Sequence, residues 1–440
     1  MESCSPDAHA ASQFEPAWRL CYGSTSHREV PYTTEILVNA DSHLFTHKIA
    51  ALALVAFALF AGPSFADKHY GPGVTDTEIR IGQTMPYSGP ASIYNTIGKS
   101  EAAYIAKINA EGGINGRKIN LISLDDGYSP PRTVEQTRKL VEQEQVLMIF
   151  ASLGTATNTA IQKYLNAKKV PHILLATAAL KWDDPANYPW SMALVPNQRA
   201  DVPAYVRYLS KVKPDAKAAV LYQNDDFGRD YVRMLRTVLG ERSSKLVVAE
   251  ASYEITDPTV DSQVIALKNS GADVLFNFST PKFAAMSIRK VYDLGWHPLH
   301  FVPSNATSVE AVLKPAGLER AVGLVSTNWV KDPSDPEWKN DPATKDYLAF
   351  MRSYYAEADP LDTQNVVGYI TAEALIQVLK QCGNELTREN VMHQAANLKD
   401  VELPMLLPGI RINTSPTDYT PIKLVQMRRF DGKTWVRIAE

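Results

Sequence analysis

Small hydroxyl-bearing residues and a glycine follow one apolar segment of this sequence and open a predicted helix. The segment is residues 146–151, and the loop after it is Ser152, Leu153, Gly154 and Thr155. Hydroxyl groups and free backbone N–H groups at a helix N-terminus favour anions, because the donors and the helix dipole point to the same place. The loop therefore predicts a binding site for a carboxylate.

Four further loops of small or polar residues also follow predicted strands. They are residues 87–90, 176–178, 222–228 and 278–280. In an open α/β sheet, ligands bind at the edge where the carboxyl ends of the strands lie. We therefore expect all five loops to face one shared crevice.

Common catalytic signatures are absent from the sequence after residue 66. It has no G-x-S-x-G elbow, Walker A loop, H-E-x-x-H motif or G-x-G-x-x-G motif after a strand. The acidic pairs at 125–126, 183–184 and 225–226 are interpreted as turn or helix-cap residues rather than acid–base pairs. Histidines are scattered singly, with no zinc-like spacing. We predict no catalytic residue, cofactor or metal; an unrecognised enzyme would need a constellation that is not visible.

Strands and helices alternate along most of the chain. Predicted strands lie at 78–86, 118–125, 146–151, 172–176, 218–222, 245–253, 273–278 and 300–303, with amphipathic helices between them. Helices are predicted at 342–356, 363–381 and 388–396. Two alternating runs joined by Asp431-Gly432 predict a terminal hairpin. The number of β-α units favours an α/β fold with two separate, doubly wound lobes.

The N-terminal region has the pattern of a secretory signal peptide. Residues 49–61 are an unbroken apolar run after Lys48, and small residues follow at Ser64 and Ala66. The run is shorter than the roughly 20 residues that span a bilayer. We predict that residues 1–66 are removed by cleavage near Ala66 and that the mature chain is periplasmic, without a membrane span.

The charge balance of the predicted mature chain argues against polyanionic partners. Residues 1–66 hold three of the 45 basic and six of the 48 acidic residues, which leaves 42 of each sign. A neutral chain without a basic block is not typical of proteins that bind nucleic acid or anionic membranes. Only Cys382 remains, so no internal disulfide is possible.

Several motifs resemble the substrate-binding proteins of branched-chain amino acid type ABC importers. The resemblance rests on IRIGQTMPYSGPA at 79–91, INAEGGINGRKINLISLDDGYSP at 108–130, YQNDDFG at 222–228 and DGKTW at 431–435, and covers about 75–440. It implies the type I periplasmic binding fold, with two lobes joined by three crossovers. The expected lobes are 67–195 plus about 326–405, and 196–325 plus about 406–440.

The resemblance also implies which residues bind the ligand. The carboxylate-binding loops fall on Ser152–Thr155 and on Ala176 and Thr177, and the closing aromatics near Tyr94 and on Phe227. The full expected set is Tyr94, Ser152, Leu153, Gly154, Thr155, Ala176, Thr177, Phe227, Phe278 and Ser304. Amino-acid binders of the family commonly have a carboxylate in the loop that contains Ser304, and this loop has none. Either an acid without an amino group binds, or Asp225 or Asp226 supplies the charge.

The expected function is capture of a small carboxylic acid and delivery to an ABC permease and its ATPase subunits. The ligand is left open between an amino acid and an aromatic or aliphatic acid. The alternative is a ligand sensor of the same fold that signals to a partner receptor. A monomer is expected in either case.

Overall fold

The computed structural model describes residues 68–438. The predicted signal peptide and its cleavage site lie outside these residues. Within them, no helix is both long and apolar enough to cross a membrane.

Strands and helices alternate over the described chain as the apolar patterns predict. The strands are β1 (His69–Tyr70), β2 (Glu78–Met85), β3 (Lys118–Asp125), β4 (Ile149–Phe150), β5 (His172–Leu175), β6 (Ser191–Ala193), β7 (Ala218–Gln223), β8 (Val247–Tyr253), β9 (Val274–Phe278), β10 (Leu299–Phe301), β11 (Val325–Asn328), β12 (Glu385–Leu386), β13 (Gln426–Phe430) and β14 (Trp435–Arg437). The helices are α1 (Asn95–Ala110), α2 (Pro130–Arg138), α3 (Thr155–Ala167), α4 (Gln198–Val212), α5 (Asp226–Leu239), α6 (Ser243–Leu246), α7 (Asp261–Asn269), α8 (Pro281–Asp293), α9 (Lys314–Ala316), α10 (Pro342–Tyr354), α11 (Thr363–Cys382) and α12 (Arg388–Ala395).

The first lobe is built on a parallel sheet with the strand order β3-β2-β4-β5-β6. β2 pairs with β3 along its whole length, from Glu78 opposite Lys118 to Met85 opposite Asp125. Within this sheet β2 comes first along the chain, β3 is added on one side of it and β4 on the other. Such a reversal of strand order leaves a crevice at the carboxyl ends of the strands beside it.

The second lobe repeats this arrangement in a larger sheet with the order β14-β13-β11-β10-β9-β7-β8. Here β7 comes first, with β8 and β9 on its two sides, so a second crevice lies at the carboxyl ends of β7 and β9. β13 and β14 form the predicted antiparallel hairpin, with Phe430 opposite Trp435. The Asp431 carboxylate accepts hydrogen bonds from the backbone N–H groups of Lys433 and Thr434, both at 2.8 Å, which fixes the turn.

The helices that follow the second sheet return to pack on the first lobe. Residues of α10, α11 and α12 share one buried cluster with residues of β2 and α1. Gly368 lets α11 approach α1 closely, since a Cβ atom there would lie 2.4 Å from the carbonyl oxygen of Ile97. The chain crosses to the first lobe before these helices and crosses back to the second lobe after them. These are two of the three crossovers between the lobes.

One expected lobe boundary needs correction. The boundary expected at about 326 lies two residues before Asn328, the last residue of β11 in the second sheet. The third crossover, expected at about 405, follows Ile422, because Leu406, Ile412 and Ile422 pack in the core of the first lobe. Met427 is the next residue along the chain in the core of the second lobe.

Several element bounds also differ from the predictions. The strand predicted at 146–151 is reduced to Ile149–Phe150, and the strand predicted from 245 begins at Val247 after the short helix α6. Neither β6 nor β11 was predicted. The α/β class, the two doubly wound sheets and the three crossovers are confirmed.

Candidate functional site

A cavity of about 100 Å³ lies between the two sheets, where their carboxyl edges face each other. This volume is well above the roughly 10 to 15 Å³ that a cavity needs to hold one water molecule, so there is space for a small molecule. The described lining residues include no aspartate, glutamate, lysine or arginine. They are Tyr94, Ile97, Tyr128, Leu153, Gly154, Thr155, Ala176, Thr177, Ala178, Val195, Pro196, Phe227, Tyr231, Thr280, Ser304, Asn305, Thr307, Asn328, Trp329, Val330, Thr363, Gln364 and Val367.

The first-lobe wall of the cavity contains the start of α3. Thr155 is the first residue of the helix, and its N-cap, Gly154, provides no side-chain hydrogen bond to the first turn. The hydroxyl groups of Thr155 and Thr177 lie 2.6 Å apart. The indole N–H of Trp182 donates to the Thr177 hydroxyl at 3.2 Å. Two hydroxyl groups and the N–H groups of an uncapped helix end therefore meet at one point, which suits an anion.

Gly154 is required by the shape of this wall. Its φ angle is 101°, a conformation that residues with a side chain rarely adopt. A Cβ atom at this position would lie 2.4 Å from Cε2 of Tyr128 and 2.6 Å from Oγ1 of Thr157. The glycine thus lets the Tyr128 ring lie against the loop and face the cavity.

Five aromatic residues lie on the cavity wall: Tyr94, Tyr128, Phe227, Tyr231 and Trp329. Phe227 meets Tyr231 edge-on, with ring centroids 5.3 Å apart. Burial raises the pKa of Tyr94, Tyr128 and Tyr231 above the ordinary value for tyrosine, so the three phenols stay protonated at neutral pH. The wall is therefore largely apolar, with a few neutral polar groups.

A buried carboxylate lies directly behind the second-lobe wall. Asp201, in α4, has no exposed surface and accepts hydrogen bonds from the Tyr231 hydroxyl at 2.6 Å and the Thr327 hydroxyl at 2.7 Å. Burial raises the pKa of Asp201 to about 6, and hydrogen bonds from Tyr231, Thr327 and Ser304 oppose that rise. No ion pair among the described residues includes Asp201. Its hydrogen-bond donors are hydroxyl groups.

Polar contacts join the two lobes at residues next to those that line the cavity. Lys181 Nζ lies 3.1 Å from the Asp226 carboxylate, and the backbone N–H of Leu180 donates to Asp230 at 2.9 Å. The Ser308 hydroxyl also donates to Asp362 at 2.9 Å. These contacts join the lobes in a closed arrangement around the cavity.

The structure brings eight of the ten expected ligand-binding residues to this cavity. They are Tyr94, Leu153, Gly154, Thr155, Ala176, Thr177, Phe227 and Ser304. Four of the five predicted loops also contribute to its wall. The exception is the loop at 87–90, where Ser88 Oγ donates to Asp125 at 2.6 Å and the loop stays at the edge of β3.

Ser152 and Phe278 do not line the cavity. The Ser152 hydroxyl is fully buried and accepts hydrogen bonds from the backbone N–H and the hydroxyl of Thr84, at 3.1 and 3.0 Å. The Phe278 ring is also fully buried and stacks on Tyr231 with centroids 4.5 Å apart. Both residues support the wall from behind.

Sequence reasoning missed most of the lining residues that come from the crossovers. Asn328 ends β11 and Trp329 follows it, and Thr363 and Gln364 open α11. Tyr128 lies in the DDGYSP run that marks the family resemblance, but nothing in that run indicates that its ring faces the cavity. Asp201 lies in a helix with no motif around it.

The sequence profile of the periplasmic binding protein family matches residues 78–433. This chain belongs to that family. A curated relative, "Leu/Ile/Val-binding protein homolog 7" of Brucella suis biovar 1 (strain 1330), is 22% identical to this binding protein over 348 residues, which cover 76% of this chain and 82% of the relative.

Two solved structures share the fold of this binding protein. One is a branched chain amino acid ABC transporter protein from Thermus thermophilus with bound valine; its TM-score is 0.74 at 16% identity, over 83% of this chain and 97% of that one. The other is a fatty acid ABC transporter substrate-binding protein from Thermomonospora curvata; its TM-score is 0.71 at 22% identity, over 84% and 94%.

Proposed function

We propose that this protein binds one small carboxylic acid between its lobes in the periplasm and delivers it to an ABC importer. The observation that carries the proposal is the wall formed by Thr155, Thr177 and the uncapped start of α3, which faces a cavity between the lobes whose described lining has no charged side chain. An anion in that cavity finds donors and a helix dipole but no competing carboxylate on the wall.

The names of the similar proteins support an acid as the ligand. They mention leucine, isoleucine and valine in one case, valine in another and a fatty acid in the third. Carboxylate is the group that these ligands share, whereas their remaining parts differ. The cavity volume is compatible with a small acid.

Closure around the acid is the proposed mechanism of capture. The carboxylate binds first to the first-lobe wall, and the second lobe then closes over it, bringing Phe227, Ser304 and Asn305 to the ligand. The contacts Lys181–Asp226 and Ser308–Asp362 form only when the lobes meet. Closure removes the acid from water and presents one defined surface to the importer.

The test is a thermal-shift screen of the chain from Asp67 onward. The panel holds amino acids, 2-hydroxy acids, aromatic acids and short fatty acids, with matched amides as controls. An acid that binds only the folded protein raises the melting temperature, and calorimetry then gives the dissociation constant. No shift with any acid, or equal shifts with acids and amides, would contradict the proposal.

Delivery and export need separate measurements in cells. Deleting the gene should reduce uptake of the identified acid at concentrations near its dissociation constant. Unchanged uptake with a lost response to the acid would favour the sensor function instead. Mass spectrometry of the periplasmic fraction should find a chain that begins at Asp67.

Replacing Tyr94 by phenylalanine tests the contribution of closure. Asn305 Nδ2 donates to the Tyr94 hydroxyl across the cleft at 2.9 Å. Losing one such hydrogen bond should weaken ligand binding about 2- to 12-fold. Tyr87→Phe is the matched control, because the Tyr87 hydroxyl bonds to Ser123 within the first lobe at 2.6 Å. Equal loss of affinity in both variants would show that the contact across the cleft contributes nothing specific.

A further inference from the structure

Two loops at the carboxyl edge of the first sheet each carry one aromatic residue of the cavity wall. Residues 86–94 follow β2 and carry Tyr94, and residues 126–129 follow β3 and carry Tyr128. β2 and β3 pair along their whole length, so the two loops start side by side. The rings of Tyr94 and Tyr128 belong to one buried cluster. The positions of these rings therefore depend on how the two loops are held together.

The carboxylate of Asp125, at the end of β3, joins the two loops. Its Oδ1 accepts hydrogen bonds from the backbone N–H groups of Ser88 in the first loop and Gly127 in the second, both at 3.0 Å. Its Oδ2 accepts one from the Ser88 hydroxyl at 2.6 Å and lies 3.2 Å from Nη2 of Arg132. Burial disfavours the charged form of Asp125, but the hydrogen bonds outweigh this effect and hold its pKa below the ordinary value. The carboxylate is therefore ionised at neutral pH.

In the first loop, backbone hydrogen bonds lead from this contact to Tyr94. The loops touch at Gly89, where a Cβ atom would lie 2.5 Å from a carbonyl oxygen of the second loop. The Gly89 carbonyl accepts a hydrogen bond from the backbone N–H of Ser92 at 3.2 Å. The backbone N–H of Tyr94 donates to the Ala91 carbonyl at 3.1 Å. A shift of the loop at its contact with Asp125 would therefore also move Tyr94.

Tyr94 is the residue by which the first loop meets the second lobe. Its hydroxyl accepts a hydrogen bond from Asn305 Nδ2 across the cleft at 2.9 Å. In the second loop, the backbone N–H of Tyr128 donates to the Asp126 carboxylate at 2.9 Å, which fixes the start of that loop. The second loop is thus the fixed support, and the first loop is held against it.

We propose that Asp125 is a positioning residue for ligand capture, whose carboxylate holds the two loops together and so places Tyr94 to contact Asn305 when the lobes close. This inference rests on the proposed function, because it assumes that closure around a bound acid contributes to affinity. Asp125 is not among the residues that line the cavity. Its side chain is 32% exposed, so replacing it creates no cavity in the core.

Calorimetry on Asp125→Ala and Asp125→Asn tests the proposal on the chain from Asp67 onward. The probe is the acid of the thermal-shift panel, such as valine, benzoate or hexanoate, that gives the largest shift. Asp125→Ala should raise its dissociation constant about 2- to 12-fold, the range for losing one hydrogen bond such as that between Tyr94 and Asn305. Asp125→Asn keeps an acceptor oxygen for the two backbone N–H groups and should lose less affinity. Equal losses in the two variants would contradict the proposal.

A double-mutant cycle separates positioning from a merely structural role. If Asp125 acts through Tyr94, Asp125→Ala should cost less than about twofold in affinity in a chain that already carries Tyr94→Phe. The same fold loss with and without Tyr94→Phe would overturn the inference, because the two residues would then contribute independently. Ser88→Ala removes a donor from the same contact and serves in the cycle if Asp125→Ala does not fold.

Asp273→Ala is the matched control. The Asp273 carboxylate is also partly exposed, accepts a hydrogen bond from the backbone N–H of Lys217 at 2.8 Å and lies 2.9 Å from Nζ of Lys213. It precedes β9, whereas the cavity lies at the carboxyl end of that strand. This variant should leave affinity within about twofold.

The outcomes separate this inference from the proposed function. If an acid binds but Asp125→Ala leaves its affinity unchanged, or if Asp273→Ala weakens binding equally, the inference fails while the proposed function stands. If no acid of the panel binds, both fail.

Discussion

Replacing Thr155 by valine should raise the dissociation constant for the acid ligand by about 10- to 150-fold. Valine keeps the shape of threonine and the backbone N–H groups of α3, so the change removes only the hydroxyl group. A hydrogen bond to a charged partner contributes about 1.5–3 kcal/mol, which corresponds to that range. The hydroxyl lies on the cavity wall, and its residue is 2% exposed.

Neighbouring groups prepare the Thr155 hydroxyl for this role. The Thr177 oxygen accepts from Trp182 Nε1 at 3.2 Å, and either hydroxyl can donate in the 2.6 Å contact between Thr177 and Thr155. When Thr177 donates in that contact, the Thr155 proton is available for the ligand. Thr177→Val is a less specific test, because it would also leave the buried indole N–H of Trp182 without an acceptor.

Calorimetry on Thr155→Val and on Ser152→Ala measures the effect with its control. Ser152 lies three residues earlier in the same loop, but its hydroxyl bonds to Thr84 and does not reach the cavity. We expect Ser152→Ala to lower thermal stability and to leave affinity within about twofold. Unchanged affinity in Thr155→Val would show that this hydroxyl does not bind the ligand. An equal loss of affinity in Ser152→Ala would show that the loss comes from a change in the loop backbone.

The loops of the site were predictable, but the direction of each side chain was not. That the cavity lies at strand ends follows from the topology of parallel sheets, which the apolar patterns revealed. In the loop after β4, Ala151 has a φ of 49° and Gly154 a φ of 101°. Such turns break the alternation of side-chain directions along a strand. The sequence therefore could not distinguish Ser152, which faces the core, from Thr155, which faces the cavity.

Residues from the crossovers depend on contacts between distant parts of the chain. Asn328 reaches the cavity because β11 lies beside β10, and Thr363 because α11 returns to the first lobe. No local pattern encodes these neighbours. Asp201 is a similar case, since its partners Tyr231 and Thr327 are 30 and 126 residues away along the chain. The loop that contains Ser304 has no carboxylate of its own, whereas Asp201 of α4 is buried behind the second-lobe wall and bonded to Tyr231.

Phe278 was expected in the binding site because it ends a strand at the ligand edge. All five residues of β9 are buried, so neither face of the strand is exposed to solvent and exposure does not distinguish the two faces. The ring of Phe278 packs between Tyr231 and Phe276, with centroid distances of 4.5 and 5.7 Å. It belongs to the buried cluster of the second lobe.

Replacing Phe278 by alanine should therefore lower the free energy of unfolding of the second lobe by about 3–5 kcal/mol, as is typical when a buried aromatic ring is removed. The effect on ligand affinity should be smaller than that of Thr155→Val, because the ring does not line the cavity. Urea unfolding without ligand measures the loss, and an unchanged m-value would show that the denatured state is not altered.

Phe227→Ala is the comparison that separates packing from binding. Phe227 is also nearly buried, at 7% exposure, but its ring lines the cavity. It should therefore lose affinity as well as stability, whereas Phe278→Ala should lose mainly stability. A Phe278→Ala variant with normal unfolding and strongly weakened binding would place Phe278 in the site after all, because a ring that only fills the core cannot be removed without a stability cost.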